Sequence, residues 1–534
     1  MIFDYIIVGG GTTGCLIADY LSKKKYKVAI IEKGKHNKLL NFFANFPNGT
    51  FFTLKNKNFT KNYLCECSNN LNGRKLVWPR GECIGGSSAI NGLVYKRGHK
   101  NDFDKLSNQG FLSWEWNKIV KYYEEIEDRL KIYNRKKYKS ENPENNSNEN
   151  PIVASFLKSL EKNKFNFCDS FNKRLEADDS QCSHYDLTLN NYKRSYAYNV
   201  YLKDNKNVKI FYQSLVSKII LKNLNATGVE FIKNEKKIII NCTKEIIISA
   251  GTINSPKILQ LSGIGDKNLL NSLGIKINYE NDKVGTNLRD HLQTRLTYKV
   301  NSKKNYNFLS NKRNLLHPIR HLVNYLIFKK GAFSKGAIRA GAFVGTSHGA
   351  FVGTSHGESK HNIQINLLLA SGTYKKLDKF NGITISVNHL NPQSAGYIKI
   401  RSKNPYEDPI IQPNYLENTV DLEKLLRGIK LVRKIVQTDP LSELIEKEVI
   451  PGRSIISRND LIDFIKDTST TIYHHTGTCR IGKEDDGVVD ERLRVWGIKN
   501  LRVCDASVFP ESVTGNIVAS CYLAGMVLVK DILS

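Results

Sequence analysis

Three glycines and one glutamate near the amino terminus have the spacing of a dinucleotide-binding site. Gly9, Gly11 and Gly14 follow the apolar run YIIV in GxGxxG spacing. Gly9 permits a tight turn, Gly11 lets a pyrophosphate approach the backbone, and Gly14 lets a helix pack closely on a strand. Glu32 ends the next apolar run, where its carboxylate can accept hydrogen bonds from a ribose diol. The alternative, a glycine-rich turn without a ligand, stays open on the glycines alone.

Two strands and a helix must hold these residues in place. Residues 5–8 and 27–31 are short apolar runs typical of strands that are buried on both faces. Between them, residues 15–21 have the apolar spacing of a helix. The amino terminus of that helix would offer unpaired N–H groups and a positive dipole end to phosphates. The order of strand, glycines, helix, strand and acid therefore predicts dinucleotide binding.

A second cluster of small residues lies within WPRGECIGGSSAING, residues 78–92. Gly85, Gly86, Ser87 and Ser88 precede an apolar helical run, so they could form a backbone nest that turns N–H and hydroxyl groups toward a cofactor. The same residues could equally form a tight turn at the start of a helix. The local sequence does not separate the two interpretations.

Two adjacent histidines, His474 and His475, stand in TIYHHTGTCRIG, residues 471–482. An imidazole titrates near neutrality, so each histidine is a candidate general base. The alternative for either is a buried ring that is bonded to a backbone carbonyl.

Length and hydropathy indicate a protein of more than one domain outside the membrane. The chain has 534 residues, of which 40% are hydrophobic and 25% charged, as in ordinary globular proteins. No apolar run approaches the ~18 residues of a membrane span. The first strand begins almost at Met1, which leaves no room for a signal peptide. We expect a cytoplasmic protein without a transmembrane segment.

The net charge of +29, from 80 basic and 51 acidic residues, raises the question of a nucleic-acid partner. The basic clusters at 23–25 and 135–137 are short and lack interleaved aromatic platforms. We therefore predict no nucleic-acid binding; the positive field could instead attract acidic substrates. The ten cysteines contain no CxxC pair, so reduced thiols and no metal site are predicted.

Five segments resemble the glucose–methanol–choline (GMC) oxidoreductases of choline-dehydrogenase-like type, flavoproteins that oxidise alcohols. The first is RGECIGGSSAINGLVYKRG at 80–98, and the second, GTINSPKILQLSGIG at 251–265, matches the family's second signature in every defined column. The others are VGTNLRDH at 284–291, TIYHHTGTCRIG at 471–482 and LRVCDASVFPESVTGN at 501–516. They occur in family order over nearly the whole chain.

The resemblance implies an α/β fold combined with an antiparallel sheet. A Rossmann-like FAD-binding domain would be assembled from residues 1–155, 195–300 and 465–534. A substrate-binding domain with a six-stranded antiparallel sheet would comprise residues 156–194 and 301–464.

The cofactor implied by the resemblance is FAD. The family's contacts to it fall here on Gly9, Gly11, Thr12, Thr13, Gly14, Glu32, Gly86, Ser87, Asn91, Gly92, Val94, Val216, Asp505 and Ala506. In some members a histidine just before the equivalent of Asn91 is linked covalently to the flavin. Ile90 occupies that position here, so we predict non-covalent FAD.

In the family's chemistry a base removes the hydroxyl proton of the alcohol while its carbon gives a hydride to flavin N5. By resemblance His474 occupies the catalytic position and Asn516 that of the second partner, whereas His475 occupies a position that is usually proline. Ile517 likewise stands where members usually have proline. We expect His291 to support the site rather than react, and His99 to be a surface turn residue.

The predicted function is oxidation of an alcohol CH–OH group to an aldehyde or ketone by a dehydrogenase. Its partners would be a small alcohol and an electron acceptor, which could be a quinone, a carrier protein or O2. An oxygen-using alcohol oxidase, or a flavin-dependent lyase or photodecarboxylase on the same fold, remains an alternative. A basic nucleic-acid-binding protein with a degenerate flavin fold is a third. The oligomeric state stays open.

Three other stretches carry predictions. Residues 41–62 are read as irregular surface structure, and the polar, Asn-rich residues 134–151 as a mobile insertion. GAFVGTSH at 341–348 recurs at 349–356 and is read as a tolerated loop insertion or a sequence error, so His348 and His356 are not expected to be ligands. Alternation at 363–367, 382–387 and 396–400 predicts half-buried antiparallel strands.

Overall fold

A computed structural model describes residues 1–36, 38–133, 150–302, 307, 316–329, 332–334, 336–345, 348, 361–372 and 376–534. Residues 134–149 of the Asn-rich stretch and the second copy of the repeat, with His356, lie outside the described residues.

The strands of three or more residues, in chain order, are β1 (Ile2–Val8), β2 (Val28–Ile31), β3 (Thr60–Leu64), β4 (Val77–Gly81), β5 (Gln181–His184), β6 (Val208–Phe211), β7 (Leu215–Lys222), β8 (Asn225–Lys233), β9 (Lys236–Ile248), β10 (Leu292–Val300), β11 (Ile338–Val344), β12 (Ile363–Leu368), β13 (Gly382–His389), β14 (Tyr397–Lys399), β15 (Ile410–Gln412), β16 (Ile445–Ile450) and β17 (Leu501–Val503). Strands of two residues are Val94–Tyr95, Asn166–Phe167, Asp186–Leu187, Leu189–Asn190, Lys193–Arg194, Ile264–Gly265, Tyr279–Glu280 and Thr470–Thr471.

The α-helices are α1 (Thr12–Lys23), α2 (Lys38–Asn45), α3 (Thr50–Thr53), α4 (Lys100–Asn108), α5 (Trp116–Leu130), α6 (Pro151–Lys162), α7 (Gly251–Leu261), α8 (Lys267–Ser272), α9 (Leu316–Phe328), α10 (Thr419–Val436), α11 (Arg458–Thr468) and α12 (Val518–Leu533). Among these helices none is long and apolar enough to cross a membrane.

The first sheet is the Rossmann-like sheet that the sequence predicts. Its order is β6-β2-β1-β9-β8-β7, with β17 on the other side of β9. The carboxyl half of β9 lies parallel between β1 and β17, and its amino half pairs antiparallel with β8. The apolar residues of β1 and β2 are buried because α1, α5 and α12 cover this sheet. The glycine turn after β1 therefore lies at the carboxyl ends of parallel strands, where ligands bind in such sheets.

The second sheet contains the six antiparallel strands that the resemblance implies. Their order is β16-β10-β13-β12-β11-β5, and each is antiparallel to its neighbour. The short strands Asn166–Phe167 and Thr470–Thr471 extend the sheet at β5 and β10. The predicted strand near 396–400 forms as β14, but it pairs with β15 in a separate two-stranded sheet. Because β10 belongs to the second sheet, we propose that the predicted domain limit at 300 moves to the start of that strand.

The prediction of irregular surface structure at 41–62 is wrong. The segment contains part of α2, all of α3 and the start of β3, and it is partly buried. The segment is held in place by a residue that is distant in sequence. The buried guanidinium of Arg194 donates hydrogen bonds to the carbonyls of Ala44 and Pro47 and to the Thr50 hydroxyl, at 3.1, 3.3 and 2.9 Å. These bonds hold the segment against Asn91, whose carbonyl accepts from the same guanidinium at 2.8 Å.

Candidate active site

One cavity of about 1060 Å³ is lined by residues from both sheets. Ligand pockets for drug-sized molecules span roughly 300–1,000 Å³, so this volume suits a dinucleotide with a small substrate. The predicted site residues at its wall are Gly9, Gly11, Thr12, Thr13, Glu32, Gly86, Ser87, Asn91, Gly92, Val94, Val216, His474, Asp505, Ala506 and Asn516.

Gly14 is the predicted cofactor contact that the cavity wall does not include. A Cβ added there would lie 2.1 Å from the Gly9 carbonyl oxygen and 3.2 Å from the Ile7 side chain. The missing side chain therefore allows α1 to pack on β1. The structure thus gives this position a packing role, and its contact with a cofactor stays a prediction.

The glycine turn exposes backbone at the start of α1. Gly9 has φ +102°, and a Cβ there would be 2.5 Å from the Ser249 carbonyl oxygen, so the turn requires glycine. At Gly11 the nearest atom to an added Cβ would be 3.8 Å away, which leaves the backbone open to the cavity. The first N–H groups of α1 have no intrahelical partners and can receive phosphate oxygens.

Glu32 is buried beside this turn. Its two carboxylate oxygens accept the N–H groups of Gly10 and Gly34 at 2.8 and 2.7 Å. Burial raises the pKa of Glu32 to about 7, against the lowering effect of these two hydrogen bonds. Because a carboxylate oxygen can accept more than one hydrogen bond, a ribose diol can still be held here.

The second small-residue cluster lies directly on the first. The Gly85 N–H donates to the Gly10 carbonyl at 2.7 Å, and a Cβ at Gly86 would lie 2.8 Å from the Gly11 Cα. Gly85 and Gly86 have φ values of +89° and +54°. This position on the cavity wall, beside the first glycine turn, favours the nest interpretation over a simple turn.

The Asp505 carboxylate is engaged within the protein. It accepts the N–H groups of Gly251 and Ser507, both at 2.8 Å, and the Ser255 hydroxyl at 2.5 Å. These bonds tie the segment after β17 to the start of α7. Asp505 thus fixes a turn at the cavity wall.

His474 is held by polar contacts on three sides. Its backbone N–H donates to Asp290 at 2.9 Å. Its Nδ1 lies 3.1 Å from the Nδ1 of His291, and its Nε2 lies 3.3 Å from the amide nitrogen of Asn516. The amide oxygen of Asn516 accepts from Gln364 at 3.4 Å, which fixes which end of the amide faces His474.

These contacts determine the tautomer of His474. An amide nitrogen can only donate, so the Nε2 of His474 must accept and carries no proton. A neutral His474 then carries its proton on Nδ1 and donates it to the Nδ1 of His291. Burial, with smaller contributions from His291 and Arg80, lowers the pKa of His474 well below its ordinary value. The ring is therefore neutral at pH 7, and its Nε2 lone pair is engaged by the Asn516 amide.

His475 and His291 both support this arrangement. The His475 side chain is 0% exposed and packs on Trp78, with ring centroids 3.5 Å apart. Its Nε2 lies 3.4 Å from an Asp290 carboxylate oxygen, and the residue also borders the cavity. Burial lowers the pKa of His291 to about 3, so this ring is a neutral acceptor for His474.

The prediction that His99 is a surface turn residue is wrong. His99 is 2% exposed. It caps the amino terminus of α4, where its Nδ1 accepts the Asn101 N–H at 3.2 Å. Its capping partner Asp102 follows three residues later, and this capping-box spacing was the available signal.

Sequence reasoning missed Thr50, Arg80 and Arg295 on the cavity wall. It also missed Gln364, which does not itself line the cavity but orients Asn516. A signal existed for Arg295 and Gln364, because both lie in segments that alternate apolar and polar residues, β10 and β12. Thr50 and Arg80 are placed by contacts with Arg194 and Tyr473, which are distant in sequence.

Residues 3–293 and 392–525 match the two domains of the family described as GMC oxidoreductase. The chain belongs to the GMC oxidoreductase family. This GMC oxidoreductase is 31% identical to an alcohol dehydrogenase [acceptor] of Pseudomonas putida over 96% of its own length and 92% of the relative. It is also 31% identical to an oxygen-dependent choline dehydrogenase of Vibrio vulnificus, over 96% and 91% of the two chains. The crystal structure of a formate oxidase has the same fold, with a TM-score of 0.87, 23% identity and coverage of 99% and 98%.

The cavity fits the FAD of this flavoprotein family. The open backbone at Gly11, the start of α1 and the Glu32 carboxylate provide partners for a pyrophosphate and a ribose. The Gly86 cluster, Asn91 and Ala506 lie along the same wall. His474 and Asn516 are at the part of the cavity that the second sheet covers.

Proposed function

We propose that this GMC oxidoreductase oxidises the CH–OH group of an alcohol to an aldehyde or ketone, with His474 as the base. The observation that carries the proposal is the unprotonated Nε2 of a neutral His474 beside the Asn516 amide at the cavity wall. The relatives named as alcohol and choline dehydrogenases support the reaction class.

FAD, when bound, supplies the acceptor for the hydride that leaves the alcohol carbon. Gly11, Thr12 and Glu32 would hold its dinucleotide part, and Gly86, Asn91 and Ala506 the part nearer the flavin. Ile90 lines the cavity where a histidine would be needed for a covalent link, so we propose that FAD dissociates.

The side chains of His474 and Asn516 would bind the hydroxyl group of the alcohol. The alcohol would insert between them: its O–H would donate to the Nε2 of His474 in place of the Asn516 amide, and its oxygen would accept from that amide. When the proton moves to Nε2, the positive ring keeps its Nδ1–H donated to His291. Asn516 cannot take the proton, so His474 is the base; such a group contributes roughly 10²–10⁴-fold to the rate.

We further propose a dehydrogenase that passes electrons to a quinone or carrier rather than to O2. The test is the release of hydrogen peroxide in air with substrate: peroxide formed at the rate of turnover would reassign the protein as an oxidase. The proposal includes a cytoplasmic location and no nucleic-acid partner.

The reaction class is tested by adding alcohols to the purified yellow protein without oxygen. Loss of the flavin absorbance near its visible maximum is the expected result. Alcohols that leave the flavin oxidised, together with light-driven loss of CO2 from a fatty acid, would instead establish the photodecarboxylase alternative.

A further inference from the structure

Arg295 lies on the face of the second sheet that covers the cavity. Along β10, Gln293, Arg295 and Thr297 line the cavity, while Leu292 and Leu296 pack in the core. This is the two-residue alternation of a strand with one apolar face. The side chain of Arg295 therefore faces the cavity.

The position of Arg295 relative to the base follows from the strand register. Arg295 pairs with Ser386, which pairs with Asn366, and all three line the cavity. The adjacent row on this face contains Gln364, which donates to Asn516. One row is about 7 Å along the strands and two strands are about 10 Å across, so the Cα atoms of Arg295 and Gln364 are roughly 12 Å apart. Arg295 therefore lies one row away, on the same face of the sheet, from the residue that orients Asn516.

Arg295 differs from the other cations of the cavity wall because it has no polar partner. Within the described ranges its side chain makes no hydrogen bond and no ion pair, and its one electrostatic neighbour is Tyr473. By contrast, Arg80 donates to the carbonyls of Pro79 and Tyr473, and Lys61 pairs with Asp408. Arg295 is only partly buried, so its guanidinium N–H donors are available to a ligand in the cavity.

We propose that Arg295 binds a carboxylate at the far end of the substrate, so that the substrate class is an alcohol that also carries a carboxylate. The planar guanidinium can donate two parallel hydrogen bonds to such a group. Ser386 and Asn366, which line the cavity beside it, can donate further hydrogen bonds. The same positive charge disfavours a quaternary ammonium substrate. The inference rests on the proposed function only for the statement that the substrate is an alcohol. Binding of a carboxylate by Arg295 does not depend on it.

Binding of a carboxylate by Arg295 is tested with molecules that have no alcohol group to be oxidised. The FAD-loaded protein is titrated with benzoate and with the neutral benzamide, and binding is followed by the change in the flavin spectrum. We expect benzoate to bind at least about 10-fold tighter than benzamide, and R295M to lose roughly 10–100-fold of benzoate affinity. Lys299→Met is the matched control, because Lys299 lies on the same strand outside the cavity and pairs with Glu446. It should leave both affinities unchanged.

The substrate preference is tested by comparing kcat/KM for 4-(hydroxymethyl)benzoate with kcat/KM for benzyl alcohol. The wild type should have the higher kcat/KM for the acid, and R295M should remove that preference when the two proteins are compared at equal FAD content. Equal binding of benzoate and benzamide by the wild type overturns the inference, as does loss of FAD in R295M. Benzoate binding that depends on Arg295, without flavin reduction by either alcohol, upholds the inference and refutes the proposed oxidation.

Discussion

The contact between His291 and His474 can be tested as the feature that fixes the tautomer of the proposed base, His474. His291→Leu removes the acceptor that lies 3.1 Å from the Nδ1 of His474. The buried Nδ1–H then has no partner, and the ring can turn or change tautomer. His291→Asn is the matched control, since its amide oxygen can take the place of the imidazole Nδ1 as an acceptor.

The size of the effect follows from when the hydrogen bond strengthens. His474 is neutral before the reaction and positive after it takes the proton, so the bond to His291 becomes charge-assisted in the transition state. Such bonds contribute about 1.5–3 kcal/mol, which corresponds to about 10- to 150-fold in rate. We expect His291→Leu to lower the rate of flavin reduction by that factor, and His291→Asn to recover most of it.

The assay is stopped-flow reduction of the flavin by an alcohol without oxygen, at saturating FAD. The FAD content of both variants is measured first, because His291 is buried and His291→Leu could disturb the fold. A His291→Leu variant that keeps its FAD and the wild-type rate would refute the tautomer assignment. Equal losses in the Leu and Asn variants would show that His291 acts by packing alone.

Three further predictions follow from the same site. Glu32→Ala should weaken FAD binding by about 10- to 150-fold, because hydrogen bonds to the carboxylate contribute about 1.5–3 kcal/mol; Glu32→Gln should lose less, and a fluorescence titration with FAD would show no difference if the ribose lay elsewhere. Burial holds the pKa of His474 well below 6.5, so the base stays unprotonated as pH falls through 6.5; kcat/KM at saturating FAD should be flat from pH 7.5 to 6, whereas a tenfold fall per pH unit beginning at 6.5 would contradict the burial argument. Because Ile90 replaces the linking histidine, acid precipitation should leave the yellow colour in the supernatant, and a yellow pellet would disprove dissociable FAD.

The features predicted most fully from the sequence are those formed by residues that are close together in the chain. The strand, glycine turn and helix around Gly9 form one continuous unit, so their spacing specifies their geometry. The alternating strands of the second sheet were visible for the same reason, since each pattern lies within a single segment. His474 and Asn516 were found through motifs, and the structure adds that they lie 3.3 Å apart.

The missed features depend on contacts between distant segments. Residues 41–62 are polar and phenylalanine-rich, and nothing in them shows that Arg194 binds their carbonyls. The burial of His99 depends on packing that its neighbours in sequence do not reveal. Likewise, the polar alternation of β10 indicates a two-faced strand but not that Arg295 faces a cavity without a partner. In each case the environment that decides the outcome is built from segments that are distant in sequence.

The central claim is that His474 takes the proton of the alcohol. It is tested most directly by comparing flavin reduction in His474→Ala and in the wild type, without oxygen and at equal FAD content. The account predicts a rate lower by roughly 10²–10⁴-fold in the variant, with FAD still bound. A variant that reduces its flavin at the wild-type rate would contradict it.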